Sequence, residues 1–89
     1  MAEHLINIEL HKQSDKGNND YRLYVDDELM LERPCVIPPG YHHQLAHLKL
    51  DLSKGGHVAR LENITGDIVM GAIMCDKKPI EHTNGYFEL

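Results

Sequence analysis

The chain has 89 residues, too few for more than one domain and for the separate subdomains of a polymerase. Fourteen Asp and Glu against nine Lys and Arg leave a net charge of −5, with the basic residues scattered apart from Lys77-Lys78, which argues against nucleic acid as a partner. No run approaches the ~18 apolar residues of a membrane span, and residues 1–11 carry Glu3, His4 and Glu9 without an apolar core, so neither a membrane segment nor a signal peptide is expected.

The apolar pattern has a period of two almost throughout. Ile6, Ile8 and Leu10 alternate with Asn7, Glu9 and His11, which predicts a half-buried strand. Residues 14–20, Ser-Asp-Lys-Gly-Asn-Asn-Asp, are loop chemistry. Tyr21, Leu23 and Val25 then alternate with Arg22 and Tyr24, and Leu29 and Leu31 resume the pattern. A three-residue loop, Asp26-Asp27-Glu28, sets Val25 opposite Leu29, Leu23 opposite Leu31 and Arg22 opposite Glu32. It is preferred to a two-residue Asp-Asp turn, which needs positive φ at both aspartates without a glycine. Pro34 and Pro38-Pro39-Gly40 break the chain on either side of Cys35-Val36-Ile37.

Ala46, Leu48, Leu50 and Leu52 share the next apolar face, followed by Ser53-Lys54-Gly55-Gly56. A hairpin across that turn would pair Leu50 with Ala59 and Leu48 with Leu61, keeping Lys49, Asp51, Arg60 and Glu62 on the solvated face. Residues 68–75 are apolar on both faces and predict a central strand, covered on both sides or bulged at Gly71. Turns at Asp76-Lys77-Lys78-Pro79 and Asn84-Gly85 lead to a short final strand from Tyr86. About seven short strands with no amphipathic helix predict a single all-β domain over residues 1–89, a small antiparallel β-sandwich of jelly-roll-like character.

Candidate chemistry is sparse. Tyr24-Val25-Asp26-Asp27 resembles the catalytic turn of reverse transcriptases, but the chain has no room for the rest of a two-metal site. Asp26 and Asp27, and the loop holding Asp15 and Asp20, are oxygen-rich and are the candidate calcium ligands, though neither has the spacing of a dedicated calcium loop. Seven histidines read as surface and rim residues, with His57 on an apolar face beside Leu52. Cys35 and Cys75 lack zinc spacing and read as free thiols, and Met70, Met74 and Cys75 as core filler. Ser14 and Ser53 sit in turns with no nucleophile motif, so no enzyme activity is expected. Tyr24, Tyr41 and Tyr86 are the aromatic residues placed to contact a partner.

Two groups share this phrasing. The stretches YRLYVDDELMLERP and HLKLDLSKGGHVARLENI and the closing Asn-Gly-x-Phe resemble hairpins of jelly-roll carbohydrate-binding modules. They resemble more closely a group of short β-sandwich proteins of tailed cyanobacterial phages, over about residues 6–64. Val36-Ile37-Pro38-Pro39 departs from the aromatic residues of the phage group, the chain has no Trp, and no functional residue carries over. The resemblance implies a non-enzymatic virion component, made in the host cytoplasm, such as a capsid decoration or tail-associated protein. Its partners would be other virion proteins or further copies of itself. The alternatives are a calcium-assisted module binding a glycan and a small acidic inhibitor of a host protein; otherwise no cofactor is expected.

Overall fold

The alternation that fills one face of each segment with Ile, Leu, Val and Tyr has to be closed against a second such face. In the computed structural model, which describes residues 2–12, 19–37 and 43–89, two sheets do this. The strands are β1 (Ala2–Lys12), β2 (Asn19–Val25), β3 (Glu28–Cys35), β4 (His43–Leu52), β5 (Gly56–Asn63), β6 (Ile68–Cys75), β7 (Lys78–Ile80) and β8 (Tyr86–Glu88). One sheet runs β4-β1-β6-β7 and the other β3-β2-β5-β8, with every pairing antiparallel. The expected β-sandwich is present, with no helix among the described residues.

Ile6, Ile8 and Leu10 of β1, with Ala46 and Leu48 of β4 and Ile73 of β6, face Tyr21, Leu23 and Val25 of β2, Ala59 of β5 and Phe87 of β8. Burying each of the larger side chains contributes about 1.5–3 kcal/mol, and together they are the main force holding the sheets face to face. Of the two alternatives for residues 68–75, a strand covered on both sides or one bulged at Gly71, the bulge is present: Ile8 pairs with Ile73 but Leu10 with Met70, so Gly71 and Ala72 of β6 oppose the single residue Glu9. The outer face of β6 is open rather than covered, with Val69 exposed.

Three expectations about pairing are corrected. First, β4 and β5 do not form a hairpin. β4 pairs with β1 from Ala2↔Leu52 to His11↔His43, and the chain crosses to the other sheet at Ser53-Lys54-Gly55. The inward faces were assigned as they stand, but coincident apolar faces are met equally by edge-to-edge pairing or by stacking across a core. The longer β1 took the edge. Lys49 accordingly pairs with Glu3 at 3.4 Å, and Glu62 with Arg22 at 3.0 Å.

Second, the β2–β3 connection is the two-residue turn Asp26-Asp27, with φ of 52° and 64°. Val25 pairs with Glu28 and Tyr24 with Leu29, and a bulge beyond them restores Leu23↔Leu31 and Arg22↔Glu32. Leu29 is therefore solvent-exposed rather than a core partner of Val25. Asp-Lys at 76–77 makes the same turn between β6 and β7. Third, Pro34 does not end its strand. It lies inside β3, which is an edge strand, where a missing N–H leaves no ladder bond unmade.

Two glycines are demanded by their surroundings. Gly85 has φ of 91°, and any Cβ there would run into the carbonyl of Ala59, whose N–H donates to Gly85 at 2.9 Å. Gly56 leaves the space on which the Tyr86 ring lies. The free edges of β5 and β6 are partly closed by side chains. The Asn63 amide donates to the Ile68 carbonyl at 3.0 Å and accepts from its N–H at 2.7 Å, and His82 Nε2 bonds the Gly71 carbonyl at 2.8 Å.

Candidate functional site

Alternation along the β3-β2-β5-β8 sheet sends a second set of side chains to solvent. β2 turns Arg22 and Tyr24 outward, β5 turns Val58, Arg60 and Glu62, and β8 turns Tyr86 and Glu88. Leu29 pairs with Tyr24, Tyr24 with Arg60, and Val58 with Tyr86, so Leu29, Tyr24, Val58 and Tyr86 form an oblique strip across the sheet. Leu29 is 49%, Val58 42% and Tyr86 46% exposed. Strand spacing puts Tyr24 and Tyr86 about 12 Å apart, with Val58 and Arg60 between them.

Charges flank the strip in an ordered series. The Arg22 guanidinium donates to Glu32 at 2.8 Å and to Glu62 at 3.0 Å. Glu62 also meets Arg60 at 3.7 Å, and Arg60 lies 4.0 Å from Asp27. The Arg60 guanidinium rests on the Tyr24 ring, 4.1 Å from its centroid, a cation–π contact worth about 0.5–1 kcal/mol at an exposed site. Tyr86 donates its hydroxyl to Glu88 at 3.0 Å.

The acidic turn below this strip is structural. Asp26 Oδ1 accepts from the Val58 N–H at 2.9 Å, and the Asp26 N–H donates to the Val58 carbonyl at 2.8 Å. Its Oδ2 lies 2.6 Å from Nδ1 of the buried His57, whose Nε2 lies 2.8 Å from the Ser53 carbonyl. Both ring nitrogens face acceptors, so the doubly protonated imidazolium is the form that satisfies both. The Asp26 hydrogen bond, then the Ser53 carbonyl, hold the His57 pKa above its ordinary value. Burial works to raise the pKa of Asp26, but the bonds from His57 and Val58 and the His57 charge outweigh it and hold it down. The pair pins the β2–β3 turn to β5 and to the crossover from β4.

Of the aspartates considered for calcium, the described residues place Asp20 apart from Asp26 and Asp27. Asp20 and Asp26 lie at opposite ends of β2, about 20 Å apart at ~3.3 Å per residue. The Asp20 backbone is bound to the 64–65 turn, through the Ile64 N–H at 3.0 Å and Thr65 Oγ1 at 3.0 Å. Asp26 has both oxygens engaged, and Asp27 is 93% exposed at the tip. Asp15 and Tyr41 lie outside the described residues.

The opposite sheet brings His4 against Cys75 and Asp76, which lie far along the chain from it. Ile6↔Cys75 pairing puts His4 beside Cys75 and the 76–77 turn. His4 Nδ1 is 2.8 Å from Asp76 Oδ2, and Cys75 Sγ is 3.5 Å from His4 Nδ1 and 3.7 Å from Asp76 Oδ2. Asp76 Oδ1 accepts from the Leu5 N–H at 2.9 Å, and the Asp76 N–H donates to the Leu5 carbonyl at 2.8 Å. The Leu5 bond, then the His4 bond, keep Asp76 ionised below the usual carboxylate range. Burial, reinforced by Asp76, pushes the Cys75 thiol up. This is not a nucleophile relay, in which opposite nitrogens of the ring face acid and thiol; here one nitrogen faces both. Cys35, in the other sheet, is a second buried free thiol. Only the β1–β6 register brings this trio together, so cysteine and histidine spacing gave no signal for it.

No known protein family, curated protein or solved structure matches the chain. Fold and exposed chemistry define it as a small antiparallel β-sandwich domain with one patterned sheet face.

Proposed function

We propose that the domain is a non-enzymatic binding module that docks another protein on the outer face of the β3-β2-β5-β8 sheet, as a structural or accessory component of a phage virion. The observation that supports this is the strip on one sheet of exposed Leu29, Val58 and Tyr86 with half-buried Tyr24, bordered by the Glu32–Arg22–Glu62–Arg60–Asp27 series. Interface cores favour aromatic side chains and arginine, and ordered flanking charges set orientation and reject wrong partners. A protein is favoured over a glycan because one face of the Tyr24 ring is occupied by Arg60 and so is closed to a sugar ring.

Mass spectrometry of purified virions tests the reading, with the chain expected in stoichiometric amounts; its absence from particles would overturn the virion assignment. Val58→Glu with Tyr86→Ala should leave the far-UV circular dichroism unchanged and abolish incorporation. A glycan array that returned a calcium-dependent ligand would instead favour the carbohydrate-binding alternative.

A further inference from the structure

The rim cluster lies on the sheet opposite the docking face and is independent of it. We propose that His4, Cys75 and Asp76 form a mononuclear site for a borderline-soft divalent cation, zinc above all, with the fourth position open to the recess lined by Glu3, Leu5 and Lys49. Imidazole, thiolate and carboxylate are the side-chain ligands zinc takes, and the sulfur selects against calcium and magnesium.

The geometry is close to that of a bound site. With Zn–S of ~2.3 Å and Zn–N and Zn–O of ~2.0 Å, a tetrahedron has S–N and S–O edges of about 3.5 Å and an N–O edge of about 3.3 Å. The S–N and S–O edges here are 3.5 and 3.7 Å. The N–O edge is 2.8 Å, closed by a hydrogen bond, and needs to open by only about 0.5 Å. The ligands are held from behind. Cys75 is fixed by its pairing with Ile6, and Asp76 is anchored through Oδ1 by the Leu5 amide, which leaves Oδ2 directed at the ion. On binding, the Cys75 S–H bond breaks, its proton goes to solvent and the S–metal bond forms; the Nδ1–H bond to Asp76 opens and the neutral His4 ring shifts its proton through solvent to Nε2, which frees the Nδ1 lone pair for the ion. No oxidation state changes, and thiolate plus carboxylate balance the dication.

The test is titration of the full chain, reduced and metal-free, with Co²⁺ and then Zn²⁺. One equivalent of cobalt should produce a sulfur-to-cobalt charge-transfer band with the intense visible absorption of a tetrahedral site, and zinc should bleach both. Cys75→Ser should remove the charge-transfer band, and His4→Gln should weaken zinc roughly 10- to 100-fold in competition with a chromophoric chelator. Asp76→Asn is the variant for which folding is not in doubt, since its backbone φ of 51° suits Asn equally; it too should weaken zinc by roughly 10-fold or more. Absence of the band in the native chain would overturn the proposal. So would unchanged zinc affinity in Asp76→Asn and His4→Gln, which would assign the ion elsewhere, for instance to His11 and His43, whose rings lie 5.6 Å apart.

Discussion

Replacing Asp26 with alanine should be among the most damaging changes available at an exposed turn. It removes the 2.6 Å bond to His57 and the 2.9 Å bond from Val58. His57, whose side chain is only 7% exposed, then keeps a polar nitrogen without a partner, which costs about 1–3 kcal/mol. The lower half of that range applies, because the Asp26 side chain is 45% exposed and water reaches its side of the bond. Alanine at a φ of 52° adds about 1 kcal/mol. The expected loss is about 2–3 kcal/mol, a fall in Tm of roughly 10–20 °C for a domain of this size. Thermal and urea unfolding followed by circular dichroism measure it directly.

Asp26→Asn separates charge from conformation, since it keeps the turn and the Val58 bond. The His57 pKa is raised in the fold, so its contribution is complete below about 6.5 and is lost as pH rises through the folded-state value. The Asp26 pKa is lowered, so its contribution is complete above about 3.9 and is lost as pH falls through the folded-state value. The native domain should therefore lose stability as pH rises above about 6.5 and through the raised folded-state value of His57, and Asp26→Asn should lose that slope. An alanine variant within about 0.5 kcal/mol of the native chain, or an asparagine variant that keeps the slope, would refute this account of the pair.

Gly85→Ala should cost about 2 kcal/mol or more by urea unfolding, because it combines an unfavourable φ with a collision against the Ala59 carbonyl. Ile8→Ala, at a fully buried position between two β1 neighbours in the same layer, should cost about 3–4 kcal/mol in the same assay. Arg22→Gln should lower stability slightly at low ionic strength, and the difference should vanish in about 1 M salt, since both its partners are solvent-facing carboxylates. Burial raises the pKa of both thiols, so in the metal-free native chain Cys35 and Cys75 should react with an aromatic disulfide reagent far more slowly at pH 7 than in the unfolded chain, as absorbance against time will show.

Period-two alternation is a property of the extended backbone itself, so the inward residues were legible without any partner. Ile6, Ile8, Leu10, Tyr21, Leu23, Val25, Ala46, Leu48 and Ala59 were assigned to the core from the sequence and are buried there. The Gly71 bulge was one of two readings left open by a glycine within the strand, and the Arg22–Glu32 pair is present although the three-residue loop that predicted it is not, because a bulge in β3 restores the register. What only the tertiary structure decided was which edges meet. An apolar face does not specify its lateral neighbour, so β4 could go to β1 instead of β5 with no change to its own pattern. The tight Asp26-Asp27 turn likewise depends on partners far along the chain, since Val58 and His57 hold the Asp26 that local propensity disfavoured. His4, Cys75 and Asp76 meet for the same reason: nothing near any of them in sequence encodes the β1–β6 register that puts one nitrogen, one sulfur and one oxygen within reach of each other.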